Sequence, residues 1–268
     1  MSNLRESGLA QATRVGYVVM LHSAGIVHVD AAVDGNGYSM TTASITLQDW
    51  RAWQPGRAEH DDPRLSVVER PAGASVPAML RRRLNDMGRA VCDMLSELDP
   101  DGECVLLHAS RHGDGERTLE MLYALAEATP LSPARFGLSV HNAILGVHSI
   151  ASGNRRSLQA IAAGGAELAA LLSETRGYLA DGETQVIAVF SDAPVPARFT
   201  EHVAMPATTA AVALHLSCTS GRAIVGRPAS DAQLTQASTP QPSDVIDWLL
   251  GAGPLICPSR RLAWTLAD

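Results

Sequence analysis

Apolar positions along the chain switch between short continuous runs and runs spaced by about 3.6 residues, the marks of buried strands and of helices. GYVVML (16–21) is short, apolar and β-branched and predicts a strand. Residues 22–78 mix Gly and Pro with Trp50, Trp53 and the charged cluster EHDD (59–62), and predict strand pieces within a long excursion. Pro77 opens a helix whose stripe runs through Leu80, Leu84, Met87, Val91 and Leu95. DPDG (99–102) ends it, and ECVLLHAS (103–110) is a strand with no wet face. A second helix carries Leu119, Leu122, Tyr123 and Ala126 on one side, and a third carries Val140, Ile144, Val147 and Ala151. SLQAIA (157–162) is a short strand, followed by a glycine turn and a helix from near Gly165 with Leu168, Leu171, Leu172 and Leu179. TQVIAVFS (184–191) and TAAVALHLS (209–217) are strands, and GRAIVG (221–226) is predicted to pair with the latter through Thr219-Ser220-Gly221. The stretch 229–243 is a polar loop; Val245, Ile246, Leu249 and Leu250 mark a last short helix, and RLAWTL (261–266) a last strand.

Strands alternating with helices from residue 103 onward predict an α/β fold, with layered helices on a mixed, mainly parallel, five-stranded sheet. No internal repeat is visible, so residues 1–268 read as a single domain.

Charge and composition narrow the function. The net charge of −7 lacks the basic stripe of a nucleic-acid surface. All 21 basic residues are arginine, which removes Schiff-base, phosphate-loop and kinase-strand lysine chemistry. The segment MSNLRESGLAQATR has no apolar core of a secretory signal, and no run approaches the length of a membrane span, so the expected location is the cytoplasm. Cys92, Cys104, Cys218 and Cys257 are scattered without metal-ligand spacing and read as reduced thiols. No metal or cofactor is expected.

Four features carry candidate chemistry. The turn Gly164-Gly165 between strand and helix offers free backbone N–H groups to a phosphate or oxyanion, yet no G-x-G-x-x-G accompanies it. HASRHGDGE (108–116) gathers His108, Ser110, His112 and Asp114, from which a hydrolase triad can be imagined; a strand-end turn with Asp114 near a helix N-cap is the simpler reading. His141 and Asn142 begin a helix that carries His148 two turns on, consistent either with capping of partly buried polar groups or with a polar interface. Cys218 sits at a strand end with no evident base to activate it. The run Arg81–Arg83 reads as a solvated face or as a receiver of an acidic carrier protein.

ASRHGD (109–114), LSP (131–133), SVHNAILG (139–146), IASGNR (150–155), AAGGAE (162–167) and the strand 184–191 follow one another as in the N-terminal half of β-ketoacyl synthases, which the chain resembles. AMLRRRLNDMGR (78–89) and DW-x-AW-x-PG (49–56) are similar to a narrower group, the short chain-length-factor-like proteins of aryl polyene clusters. The resemblance implies half of a thiolase-like fold.

It also implies a reactive cysteine at the turn, where none stands: Gly165, with Ala162, Ala163 and Gly164 as alternative registers, replaces it. The histidines and lysine of a second half are missing too. The implied function is a non-catalytic chain-length-factor-like subunit that pairs with a catalytic ketosynthase, with substrate arriving on an acyl carrier protein. The implied interface and pocket residues are His141, Asn142, Ile144, Leu145, His148, Ser157, Gln159, Ile161 and Glu167. The alternatives are a stand-alone hydrolase or acyltransferase using Ser110/His112 or Cys218, and a homodimeric acyl-binding module.

Overall fold

A computed structural model describes residues 44–203 and 206–267. The strand expected at 16–21 lies outside the described residues. Strand β1 (Thr46–Trp53) is followed by the two-residue β2 (Leu65–Ser66), then helices α1 (Ala78–Arg81) and α2 (Asp86–Leu98) and strand β3 (Val105–Ala109). Helices α3 (Gly115–Ala126), α4 (Pro133–Phe136) and α5 (Ala143–Ser152) precede β4 (Leu158–Ile161), α6 (Glu167–Ala180) and β5 (Gln185–Asp192). The last part holds β6 (Ala210–Ser217), β7 (Arg222–Pro228), α7 (Asp231–Gln236), α8 (Pro242–Leu249), β8 (Leu255–Cys257) and β9 (Leu262–Ala267).

These strands form one mixed sheet in the order β4-β3-β5-β6-β1-β7-β9-β8, with β2 beside β1. The expected mixed sheet with layered helices is present, but among the described residues it has nine strands rather than five, and it is mainly antiparallel rather than mainly parallel, since five of its eight strand pairings are antiparallel. The parallel part is β4-β3-β5 and the short β1–β2 pair; the pairings from β5 to β8 along the sheet are antiparallel. The extra strands come from the excursion and from the C-terminal segment. The expected hairpin between 209–217 and 221–226 does not form, because β1 enters between its two arms: β6 pairs with β1, and β7 pairs with β9 and with the first residues of β1. Gly221 makes this entry feasible. Its φ is +112°, and a Cβ there would stand 2.3 Å from the Leu47 carbonyl oxygen.

Alternate side chains of the central strands point to opposite helix layers. Val105, Leu107, Val186, Ala188, Phe190, Val212 and Leu214 pack toward α6 and α8. Leu106, Ile187, Val189, Ala211 and Ala213 pack toward α2 and Leu145 of α5. The helix expected across 77–95 is two helices, since Asn85 caps α2 by accepting a hydrogen bond from the Gly88 N–H at 2.8 Å. The polar stretch 229–243 is not all loop, for Ser230 and Gln233 form a capping box that starts α7. Helix α3 is where the pattern placed it, yet none of its residues is buried: Leu122 is 52% exposed and Leu125 58%. Its apolar stripe is only partly covered: Leu119 is half-buried and the Arg198 guanidinium lies over the Tyr123 ring, 5.8 Å from its centroid, while Leu122 stays exposed.

Candidate functional site

The C-terminal ends of β3, β4 and β5 lie side by side, the edge at which sites gather in parallel sheets. Ala109 of β3 is in register with Ile161 of β4, and the Ser110 N–H donates to the Ile161 carbonyl at 3.2 Å. Beyond Ile161 the chain turns through Ala162 to Ala166 into α6. Gly164 and Gly165 take φ of +59° and +104°, which L side chains rarely adopt. Glu167, the first residue of α6, is 2% exposed and folds back under this turn. Both of its carboxylate oxygens lie 3.0 Å from the Gly165 nitrogen, and one accepts from the Ala163 N–H at 3.2 Å. The amide groups that form a ready anion or oxyanion site at such a turn are thus filled by the chain's own carboxylate.

Of the four positions at which the resemblance places a cysteine, Gly164 and Gly165 demand glycine, while Ala162 and Ala163 have ordinary backbones. A Cβ on Gly165 would also meet Thr239 Cγ2 at 3.1 Å. Gly165→Cys is expected to lose about 1–3 kcal/mol through backbone strain, whereas Ala162→Cys, at an exposed site, stays near wild type. Urea unfolding of both variants checks this; equal stabilities would refute the assignment of strain to position 165.

One strand away lie two neighbouring polar groups, His108 with Ser191, and Ser110 and His112 with Asp192. Asp192 ends β5, is 1% exposed, and receives four contacts, one of them from the Ala193 N–H to Oδ1 at 3.3 Å. The Ser110 hydroxyl donates to Oδ1 at 3.3 Å, the His112 N–H lies 3.4 Å from Oδ1, and His112 Nδ1 lies 3.1 Å from Oδ2. Burial pushes the Asp192 carboxyl up from its ordinary range, and His112 opposes that shift. Ser110 Oγ in turn accepts from the Gly113 N–H at 2.9 Å. In a hydrolytic triad the imidazole stands between hydroxyl and carboxylate; here the carboxylate stands between hydroxyl and imidazole. His112 has no path to the Ser110 proton in this arrangement. Ser110→Ala is accordingly expected to cost about 1 kcal/mol of stability and to leave any background ester hydrolysis unchanged, as a p-nitrophenyl ester assay reads.

His108 Nδ1 lies 3.1 Å from the His141 carbonyl oxygen and Nε2 lies 2.8 Å from Ser191 Oγ. A carbonyl only accepts, so Nδ1 carries the proton and Nε2 accepts from Ser191. Burial pushes the His108 imidazole down to about 4. Beside these groups opens a cavity of about 490 Å³, lined on its polar side by His108, Ser110 and His141 and on its apolar side by Met87, Leu138 and Ile144.

The sequence-derived site residues separate into three places. His141 and Ile144 line this cavity, with Ala162, Gly164 and Glu167 around the turn one strand away. Asn142, Ser157 and Gln159 are exposed, Ile161 is half-buried, and Gln159 lies on β4, the edge strand of the sheet among the described residues. Leu145 and His148 are core residues at 0% and 1% exposure, because α5 turns that side toward the sheet; they pack the interior and do not present a surface. Asp114 caps α3 as expected, accepting from the Arg117 N–H at 3.1 Å. Cys218 is a half-buried free thiol against the core, and burial pushes the Cys92 and Cys104 thiols up to about 12. Asp192 and Ser191 were not singled out from sequence. Their signal is an acid placed directly after an apolar strand, at the carboxyl end where parallel strands collect polar groups. Among the described residues no group of three or more His, Cys, Asp or Glu is placed to hold a metal, and no helix is long and apolar enough to cross a membrane.

The family model of the β-ketoacyl synthase N-terminal domain matches residues 50–265. A chain from the structure of the ketosynthase ApeO in complex with its chain length factor ApeC, from Xenorhabdus doucetiae, is 23% identical with a TM-score of 0.67; the match covers 84% of this chain and 99% of that one. A chain of the ishigamide ketosynthase/chain length factor is 15% identical, with a TM-score of 0.48 and coverage of 71% and 69%. No curated protein matches the sequence. The first of these structures shows a shared fold, the thiolase-like architecture.

Proposed function

The chain belongs to the β-ketoacyl synthase N-terminal domain family, and from that membership we propose that it is a non-catalytic, chain-length-factor-like subunit that pairs with a catalytic ketosynthase. The observation that carries this reading is the turn 162–166: it has no nucleophile, and Glu167 holds its amide groups. Thiolate attack on an acyl thioester needs the first, and stabilising the resulting oxyanion needs the second. The reaction that the family performs would therefore take place on the partner.

Two surfaces support a partner. Among the described residues strand β4 ends the sheet and is paired on one side only, by β3, with Gln159 and Ala160 exposed; an uncovered edge is a template for another strand. Leu122 and Leu125, one turn apart on α3, are exposed at 52% and 58%, and neighbouring exposed apolar groups mark interaction sites. In this reading residues 1–268 form one half-size unit of the duplicated fold, working in the cytoplasm. His141 and Ile144, on the cavity wall, help shape the space that receives a growing polyene of the aryl polyene kind, delivered by an acyl carrier protein.

Co-expression with the catalytic ketosynthase of the same gene cluster tests the proposal. The expected result is a stable heterodimer in which elongation needs both chains. A well-behaved monomer that leaves ketosynthase activity unchanged sinks it.

A further inference from the structure

The open edge of the sheet carries an unpaired cation near each end. Among the described residues β4 is bonded on one side only, by β3. The Ser157 and Ile161 carbonyls accept from the Leu106 and Ser110 N–H groups at 3.0 and 3.2 Å, so both point toward β3. Successive residues of a strand alternate in direction, which turns the backbone groups of Leu158 and Ala160 to the open side. Arg155 precedes this strand and is exposed. Arg111 follows Ser110 at the other end and is half-buried. Its Nη1 stands 3.8 Å from where a Cβ of Gly165 would sit, so the guanidinium lies beside the turn that ends β4. Among the described residues no carboxylate pairs with Arg155 or Arg111, whereas Arg156 is held by Glu183 and Arg117 by Asp114. Glu167, the acid of the turn, is already taken up by the amides of Ala163 and Gly165. Gly164 leaves room there: it is exposed, and a Cβ on it would meet nothing within 4 Å.

We propose that Arg111 and Arg155 select what pairs with the β4 edge: they reject a second copy of this chain and accept a strand of another chain with carboxylates at its two ends. Two identical edges meet antiparallel about a two-fold axis. A pairing centred on β4 sets Leu158 against Ile161 of the second copy, and in the same register Arg155 comes level with its Gly164. Arg155 of each copy then stands beside Arg111 of the other, at both ends of the interface at once. Like charges across a strand pair are destabilising, and the symmetry imposes the contact twice. A different chain with Asp or Glu at these places meets the same two groups with opposite sign, and arginine's planar fork of donors suits a carboxylate. The inference rests on the pairing proposed above and adds which partner the edge admits, since specificity needs repulsion of the wrong partner as well as attraction of the right one.

Sedimentation velocity on the full chain tests the rejecting half without any partner. Arg111→Glu or Arg155→Glu alone makes the edge self-complementary, because the reversed end of one copy meets the unreversed end of the other. Each single variant is expected to homodimerise at least about tenfold more tightly than the wild type. The gain should shrink between about 50 and about 500 mM salt. The double variant restores like charges at both ends and should return to the wild-type level. Ala160→Pro removes a donor from the open side while sparing the bonds to β3, and should abolish the dimer of either single variant. Arg111→Gln and Arg155→Gln repeat the comparison, with a smaller gain, if a reversal unfolds the chain. Single variants no tighter than the wild type, or a double variant as tight as the singles, overturn the proposal. So does a wild-type homodimer that Ala160→Pro dissolves. Co-expression with the catalytic ketosynthase reads the accepting half: each single reversal should weaken the heterodimer at least about tenfold, and equal heterodimers from the wild type and both reversals refute it. If the wild type forms no heterodimer, the pairing reading and the accepting half fall together, while the homodimer comparison still decides whether the arginines keep copies apart.

Discussion

Glu167→Ala is expected to lower the unfolding free energy by about 4 kcal/mol. Its carboxylate is 2% exposed and accepts from the Gly165 and Ala163 N–H groups. Truncation leaves two donors without partners, one of them on the buried Gly165, and each orphaned buried donor costs about 1–3 kcal/mol. The negative charge at the first turn of α6 is lost as well, a further contribution of about 0.3–1 kcal/mol. Glu167→Gln keeps one oxygen acceptor and should lose about half as much. Urea unfolding at neutral pH measures both. A loss below about 0.5 kcal/mol for the alanine variant, the range of an ordinary surface change, would show that the carboxylate does not hold the turn.

The result bears on function because the same interaction closes the turn to chemistry. A turn with its N–H groups free can bind an acyl oxygen; one satisfied from within cannot do so without displacing a buried carboxylate. Restoring a cysteine alone, at Ala162 for example, therefore should not restore acyl transfer. The turn is a structural joint between β4 and α6, placed beside the sheet edge that the proposed partner would extend.

Strands with a continuous apolar run were legible from sequence: β3, β5 and β6 start and end within two residues of the predicted spans. Strand β1 was not, because Asp49 and Arg51 break its apolar run. Those two charges pair with each other at 2.7 Å, and Arg51 also reaches Glu97 at 2.7 Å, an arrangement that depends on α2 lying across the sheet. Missing β1 produced the wrong hairpin, since β6 and β7 look like neighbours until a strand enters between them. The helical period of α3 was readable, but period reports which side is apolar and not whether anything covers it. The empty turn was visible as composition. Its filling by Glu167 was not, because an acid at the start of a helix reads as a favourable dipole contact whether it points out or folds under. Asp192 was missed for a related reason: its role as the hub of Ser110 and His112 exists only once β3 and β5 lie side by side.

Acidification from pH 7 to pH 4 is expected to remove about 3 kcal/mol of stability through His108 alone. Burial lowers its pKa from 6.5 to about 4. The unfolded chain therefore takes up this proton at a higher pH than the folded chain does. Above pH 6.5 both states are neutral and the group contributes no slope. As pH falls below 6.5 the unfolded state gains the proton first, so stability falls until the folded imidazole titrates near 4, at about 1.4 kcal/mol per pH unit. His148 and His215 are shifted down by the same cause and add to the loss. Asp192 and Asp244 are shifted up by burial, and they oppose it where the carboxylates titrate. His108→Gln isolates the imidazole: it keeps a side-chain amide for the His141 carbonyl and Ser191, and it does not titrate. Urea unfolding at pH 7.0, 6.0, 5.0 and 4.5 should give a steep decline for the wild type and a shallower one for the variant, whatever its stability at pH 7. Parallel declines would mean that His108 takes up its proton without cost. The neutral imidazole bridging His141, in the turn before α5, and Ser191 of β5 would then not be what holds the cavity wall in place.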